Sequence, residues 1–343
     1  MKIYEQIKVD NDKLDKFIID SNTSTLYHQI NWNYVIEKTF GHNTYYLCAE
    51  NSNGNLEGVL PIVHIRSLIF GNFLVSSPFT SYGGICAANE EAENLLISRA
   101  IKIAVKLNAD FIEFRDEKPS NKGFPVKTTK VSMRLELPGS ADELWKTFPT
   151  KLRTKVRKPK KEGMYCKIGK KDELESFYRV FSINMRDLGT PVYPMSFFEN
   201  ILDYFPQNIW ICTVYKDNLP VASGFLIGFK DKLEIPWGSA IKQYNRLRPN
   251  MLLYWNCMKF ACEKGYGVFD FGRSTPGEGT YKFKQQWGAK PHQLYWNYWL
   301  RNGGVLPDLS SKNKKYLFAI DIWKRLPITV TKILGPKIVK YFP

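Results

Sequence analysis

Two lysines, Lys282 and Lys284, stand in the run Phe269-Asp-Phe-Gly-Arg-Ser-Thr-Pro-Gly-Glu-Gly-Thr-Tyr-Lys-Phe-Lys-Gln-Gln-Trp-Gly288. The residues before Gly272 alternate like a short strand, and a loop punctuated by glycine and proline follows. Side chains on loops that leave strand ends are disproportionately catalytic. An ammonium held there can stabilise an anion that develops during group transfer. If Tyr281 to Lys284 is a second strand, Lys282 and Lys284 share one face while Tyr281 and Phe283 pack on the other. Asp270 lies between two phenylalanines at the first strand's end. It reads either as a general base taking a proton from an amine or as a structural carboxylate that pairs with Arg273 or caps the following loop.

A second constellation is Lys151-Leu-Arg-Thr-Lys-Val-Arg-Lys-Pro-Lys-Lys161, seven cations and no acid in eleven residues. It reads as a solvated helix face or as a phosphate track, because clustered cations bind polyanions by releasing counterions. Arg153 and Arg157 are four apart and share one helix face, and the planar guanidinium fork suits phosphate. Arg186, before the Gly189-Thr-Pro191 loop, and Arg273 are further candidate substrate contacts, as are Tyr281 and Trp237. Gly238, beside Trp237, would let a ligand approach the backbone closely. The histidines at 28, 42, 64 and 292 show no ligand spacing, and the six cysteines are scattered as in a reducing compartment. No metal site is expected.

The elements that position these residues occur twice. Ile101-Lys-Ile-Ala-Val-Lys-Leu-Asn-Ala-Asp-Phe-Ile-Glu-Phe114 matches Met258-Lys-Phe-Ala-Cys-Glu-Lys-Gly-Tyr-Gly-Val-Phe-Asp-Phe271 at an offset of 157, pairing Lys102 with Lys259 and Phe114 with Phe271. Each copy reads as helix, turn, strand. A hairpin precedes each, over Tyr45–Glu50 and Leu56–Val63 in one copy, and over Ile209–Tyr215 and Val221–Phe229 in the other. A third strand, Leu233–Ser239, continues the second hairpin. The fold class is α+β with an internal duplication. The expected boundaries are 1–145, 146–305 and a helical tail over 306–343, with Ser140 capping a helix near the junction.

Charge follows the same division. Of 343 residues, those from Met1 to Trp145 carry 15 basic and 18 acidic side chains, and those from Lys146 to Pro343 carry 34 and 15. The second half therefore faces something anionic: nucleic acid, a phosphorylated small molecule or acidic lipid. No leader and no run of the roughly 18 apolar residues needed to span a bilayer is seen, which reads as a cytoplasmic protein.

The duplicated unit, the basic helix opening its second copy, and the Phe-Gly-Arg-Ser loop leading into Tyr-Lys-Phe-Lys-x-x-Trp-Gly together resemble the FemABX aminoacyltransferases, which carry two GNAT-like domains. The likeness runs from about Tyr27 to the end. It is nearest to the branch found with exopolysaccharide and exosortase systems, through Tyr27-His-Gln-Ile-Asn-Trp32, Phe40-Gly-His42 and Leu326-Pro327 with Gly335-Pro336. The resemblance implies a duplicated GNAT fold without metal or prosthetic group. It implies transfer of an aminoacyl group from aminoacyl-tRNA to an amine of a peptidoglycan or surface-polysaccharide precursor, lipid- or nucleotide-linked. It places the implicated lysine at Lys284, with Lys282 as the alternative, and packs the tail back on the first domain.

Two departures qualify this. The family's phosphate-binding lysine, one turn after the first helix's tryptophan, is Ile36 here, with Lys38 nearby. The turn that would receive a pyrophosphate, Tyr244-Asn-Arg-Leu-Arg-Pro-Asn-Met251, has no glycine, which argues against acyl-CoA. An acyl-CoA or acyl-carrier-protein donor remains the alternative within the fold. A non-catalytic basic adaptor for nucleic acid or membrane is the alternative outside it. The basic tail is compatible with peripheral contact at the inner membrane face.

Overall fold

In the computed structural model, residues 1–4, 10–68, 70–120, 122–307 and 314–342 are described. They form two compact units. The first comprises Met1–Lys130 with Gln293–Ser310 and Lys340–Pro343, and the second Val131–His292 with Ser311–Val339.

In the first unit, strand β1 (Lys2–Tyr4) and helices α1 (Asn11–Asp20) and α2 (Ile30–Phe40) precede the hairpin β2 (Asn43–Glu50) and β3 (Leu56–Ser67). Strand β4 (Gly71–Val75), the short β5 (Cys86–Ala87), helix α3 (Glu90–Lys106), β6 (Phe111–Asp116) and β7 (Val126–Lys127) follow. One sheet orders these β1-β2-β3-β4-β6, then a strand from far along the chain, β15 (Tyr295–Leu300), then β7; β5 pairs with β3. Alternation in β2 and β3 turns Leu47, Ala49, Leu60 and Ile62 toward Ala92, Leu96, Ala100 and Ile103 of α3. Asn89 caps α3 by accepting from the Ala92 N–H at 2.9 Å. Glu90, Glu91 and Glu93 fill its first turn, the end where the helix dipole favours negative charge.

The second unit opens with β8 (Val131–Glu136), α4 (Ala141–Thr147) and the basic helix α5 (Thr150–Lys161). Then come β9 (Tyr165–Gly169), α6 (Leu174–Leu188), α7 (Met195–Tyr204) and the strands β10 (Ile209–Lys216), β11 (Leu219–Phe229) and β12 (Lys232–Ala240). Helix α8 (Pro249–Glu263), β13 (Val268–Ser274), α9 (Gly279–Gln285) and β14 (Lys290–Gln293) complete the core, and α10 (Lys314–Arg325) and α11 (Ile328–Val339) form the tail. The sheet runs β14-β8-β13-β12-β11-β10-β9. Asp217 (φ 49°) and Asn218 (φ 61°) turn the β10–β11 hairpin, as a two-residue hairpin of matching twist requires. Adjacent residues of β11 serve opposite faces: Leu226 joins the core built with α8, and Phe225 packs on Phe177 and Phe198 of α6 and α7.

The duplication is therefore a repeat of hairpin, strand, helix and strand: β2-β3-β4-α3-β6 and β10-β11-β12-α8-β13. The expected boundary at 145 and 146 falls earlier, because Val131–Glu136 pairs antiparallel with β13 in the second sheet. Residues 295–300, expected in the second domain, pair instead with β6. Ser140 does cap α4, accepting from the Glu143 N–H at 3.2 Å. The tail helices pack on α6 of the second unit, where the resemblance pointed to the first domain. Thr331, Gly335 and Val339 form the buried stripe of α11. A Cβ at Gly335 would lie 2.8 Å from the Val192 backbone nitrogen, so the absence of a side chain sets this close approach. Residues 340–342 belong to the first unit: the His42 Nε2–H donates to the Lys340 carbonyl at 2.8 Å, and Phe342 packs on Phe70 at 4.1 Å between ring centroids.

The tie between β13 and β8 is ionic. Asp270, fully buried, accepts from Ser132 Oγ at 2.5 Å, Arg134 Nε at 2.9 Å and the Gly272 N–H at 2.8 Å. Burial alone would raise its pKa; the charges of Arg134 and Lys232 and the bonds from Ser132 and Arg134 hold it below the ordinary 3.8. The stabilisation is thus complete above pH 3.8 and is lost as pH falls from there through the depressed folded value. Asp270→Asn is expected to cost about 3–5 kcal/mol at neutral pH, because Arg134 loses its buried partner. Urea denaturation at pH 7 and at pH 3 checks this, the variant showing the smaller loss on acidification.

Candidate functional site

Strands β12 and β13 run parallel but pair only over Lys232–Glu234 and Val268–Asp270. Beyond that point each strand bulges. Ile235 and Pro236 of β12 lie between the pairs Phe225–Trp237 and Ile227–Glu234, opposite a single residue of β11. Phe271 and Gly272 of β13 stand opposite Met133 alone. Gly272 has φ of +73°, a conformation that glycine adopts without strain, and Pro236 has no N–H to lose from a ladder. Bulges re-aim strands and often lie beside active sites.

Lys284 binds the β13 side of this fork. It is 6% exposed, and its Nζ donates to the carbonyls of Gly272 at 2.8 Å and Arg273 at 2.9 Å. Burial lowers its pKa to about 8, against the pull of Asp270 and Glu234 and with a further push from Arg273. An ammonium carries three N–H donors, so two serve the bulge and one remains.

The segment that carries Lys284 is a helix, α9, and not the expected strand. Residues two apart on a helix point about 200° apart, so Lys282 is exposed while Lys284 is buried. The alternation Tyr-Lys-Phe-Lys imitates a strand, but Lys284 and Trp287, three apart, share the buried side. Phe283 meets Tyr254 at 5.1 Å and Trp287 at 6.4 Å between ring centroids. Tyr281 is half-buried against the same core.

Other sequence candidates separate. Asp270 pairs with Arg134 across the strands at 2.9 Å, and its bonds tie β13 to β8. Arg273 is exposed at the end of β13, and its carbonyl receives Lys284. Trp237 is packed among Tyr193, Phe197, Phe198 and Phe225, a core role. Arg186 bonds Asp187 at 2.8 Å and lines a cleft of about 330 Å³ with Tyr244 and Ile241, just past the end of β12. Asn184 Nδ2, on the same helix, donates to Ser239 Oγ of β12 at 3.1 Å.

Helix α5 buries Leu152, Val156 and Pro159 and turns its charged side outward. Two of its lysines fix it to the fork's surroundings. Lys155 Nζ donates to Gln286 Oε1 at 3.0 Å, just past α9, and Lys158 Nζ donates to the Arg246 carbonyl at 3.1 Å. Arg153 is half-buried, while Arg157 is exposed and lies over the Trp145 ring at 5.4 Å. Sequence reasoning missed Gln286 and Arg246 as anchors, since neither type signals such a role. Helix α8 begins beside them with Pro249 at its first turn and no acid there. Arg248, with φ of +60°, takes the left-handed position before it. Among the described residues no cluster of side chains suits a metal ion, and no helix is long and apolar enough to cross a membrane.

Residues 147–285 match the family model described as acetyltransferase (GNAT) domain. Among solved structures the chain is similar to FemX, with a TM-score of 0.67 and 17% identity over 86% of this chain and 97% of that one. The C-terminal domain of a putative lysylphosphatidylglycerol synthetase from Agrobacterium fabrum matches at TM-score 0.56 and 13% identity, over 85% and 91% of the two chains. A tandem GNAT protein from the clavulanic acid biosynthesis pathway matches at 0.56 and 8%, over 89% and 99%. No curated protein sequence matches. The chain thus has a duplicated GNAT fold, an N-acyltransferase fold. Its second unit contains the GNAT domain.

Because the folded pKa of Lys284 lies below the unfolded 10.5, the folded state releases its proton first, and stability rises as pH climbs from about 8 toward 10.5. Urea denaturation between these limits is expected to show a gain of about 3 kcal/mol. Lys284→Met should lack that gain while remaining folded.

Proposed function

We propose that this protein is an N-acyltransferase that moves an aminoacyl group from aminoacyl-tRNA to an amine of a cell-envelope precursor, acting at the cytoplasmic side. The observation that carries the reading is the juxtaposition of a buried lysine at a strand fork with a seven-cation helix bonded to the same segment. Similarity to FemX and to the lysylphosphatidylglycerol synthetase domain supports an envelope aminoacyl transfer.

The donor's acyl carbonyl enters where β12 and β13 part. The acceptor nitrogen attacks the carbonyl carbon, a C–N bond forms and the ester C–O bond breaks. The amine gives up a proton, and the terminal ribose hydroxyl of the tRNA leaves protonated. The remaining N–H of Lys284 stabilises the oxyanion of the intermediate, worth about 3 kcal/mol for one such donor. The bonds to Gly272 and Arg273 hold the ammonium in place beforehand. Arg153 and Arg157 hold the donor's phosphates, with Arg273 and Tyr281 bordering the entrance. Arg186 lies in the cleft past β12, where an anionic acceptor would rest. Asp270 positions the bulge; its depressed pKa makes it a poor proton acceptor.

A second reading keeps the fold and changes the donor to acyl-CoA or an acyl carrier protein. It is favoured by the acid-free N-terminus of α8 beside Arg246 and Arg248, a suitable place for a phosphate.

Lys284→Met is expected to lower transfer by roughly 100-fold or more with binding of the donor retained. Because the ammonium is the active form here, the wild-type rate should fall as pH rises through about 8; a rate that rises instead would assign a neutral amine acting as base.

The donor is tested by titrating charged and uncharged tRNA across a salt series. Tighter binding of the charged form supports the aminoacyl ester as donor. Equal binding of both, with turnover on acyl-CoA, transfers the assignment to the second reading. Arg153→Ala and Arg157→Ala should each reduce the log–log salt slope by roughly one.

A further inference from the structure

The tail helices carry apolar side chains on the side away from the unit they are docked on. On α10, Trp323 is buried and Ile320 reaches Gly189 at the end of α6, while Phe318 is 77% exposed and Ile322 46% exposed. Phe318 and Ile322, four apart, share one helix face. On α11 the buried stripe is Thr331, Gly335 and Val339, and Ile333 (63% exposed) and Leu334 (40%) project away from it. Large apolar side chains left bare on successive helices mark an interaction surface.

The polar residues around them specify the partner's charge. Between 318 and 340 lie five basic residues, Lys324, Arg325, Lys332, Lys337 and Lys340, and one acid. That acid, Asp321, is paired with Lys324 at 3.7 Å. Helix α11 has no acid at all. Close docking of Gly335 on the Val192 backbone holds α11 with Ile333 outward. Surface helices with bulky apolar residues framed by lysine and arginine lie in the interface of anionic bilayers, apolar side chains entering the acyl boundary and cations meeting headgroups.

We infer that α10 and α11 form a docking surface for an anionic lipid bilayer, seated through Phe318, Ile322, Ile333 and Leu334 and framed by the basic residues around them. This goes beyond the proposed reaction and stands without it. The surface is occupied by the membrane itself, so binding requires lipid packing as well as charge.

Flotation of the full chain with phosphatidylcholine vesicles, with and without phosphatidylglycerol, tests the inference. The chain should float with the phosphatidylglycerol vesicles and stay behind with phosphatidylcholine alone. Phe318→Ser with Ile322→Ser should weaken binding by roughly tenfold or more, since each removes a large apolar side chain. Arg325→Gln with Lys337→Gln should weaken it too; both pairs are exposed, and unchanged circular dichroism confirms folding. No flotation overturns the inference. So does flotation that the serine pair leaves unchanged and salt abolishes, which is adsorption of a basic surface only. A concentration-dependent dimer in sedimentation, lost in the serine pair and accompanied by no vesicle binding, would assign the face to a second copy. Transfer to a water-soluble acceptor without vesicles keeps the reaction's success or failure separate.

Discussion

The second unit turns on one constraint: two parallel strands that stop pairing must leave backbone groups that need partners. Strands β12 and β13 part after Glu234 and Asp270, and the carbonyls of Gly272 and Arg273 are met by Lys284. The lysine could only be brought there by a helix, because α9 lets Lys284 and Trp287 go inward together while Lys282 stays in water. Asp270 performs the matching task on the other edge of β13, holding Ser132, Arg134 and the Gly272 N–H. Between Asp270 and Arg273, β13 thus has a carboxylate that gathers donors and two carbonyls that are met by one lysine of α9. The fork stays open because both edges of the bulge are satisfied.

The first unit shows what happens when the same topology is filled instead. Its strands β4 and β6 also pair in parallel for three residues, Phe73–Val75 with Phe111–Glu113. At the offset of 157, Arg115 stands where the second copy has Gly272, and Glu113 where it has Asp270. The buried Arg115 side chain bonds Glu113 Oε1 at 2.7 Å and the Thr80 carbonyl at 2.7 Å, and lies over the Trp296 ring at 4.4 Å. Its backbone N–H is taken by Ser76 Oγ and its carbonyl by the Gly83 N–H. The helix that follows differs in the same sense, since α3 carries three glutamates at its N-terminus and α8 none. A negative first turn disfavours an anion there, and an acid-free one leaves the helix dipole unopposed. The duplication has kept one open copy and one packed copy.

Much of this was legible in the residues. Both hairpins, the repeated helix and strand, and the basic helix followed from alternation, turn residues and charge. Pro236 inside an apolar strand is itself a bulge signal. What could not be read were relations set by distant pairing. Val131–Glu136 lies next to a proline-bounded junction, yet its partner is β13, more than 130 residues away, so the domain boundary moved. Residues 295–300 likewise go to β6. Asp270 had Arg273 three residues off, but the bulge turns Arg273 outward and cross-strand register brings Arg134. The four-residue alternation around Lys284 is too short to separate period 2 from period 3.6, and only burial of Trp287 settles it.

The charge asymmetry of the chain gains meaning from where its cations are tied. Exposed lysines on a free helix would give a diffuse positive field that salt screens. Here Lys155 and Lys158 spend their hydrogen bonds on Gln286 and the Arg246 carbonyl, which sets the angle of α5 against both α9 and the approach to α8. Arg153 and Arg157 are then presented from a fixed base, four residues apart on one face. An anion bound along that face is located relative to the fork, because Gln286 follows Lys284 by two residues. In the proposed reaction, electrostatics that would otherwise only raise encounter rates acquires a direction, from the cations of α5 toward the buried ammonium.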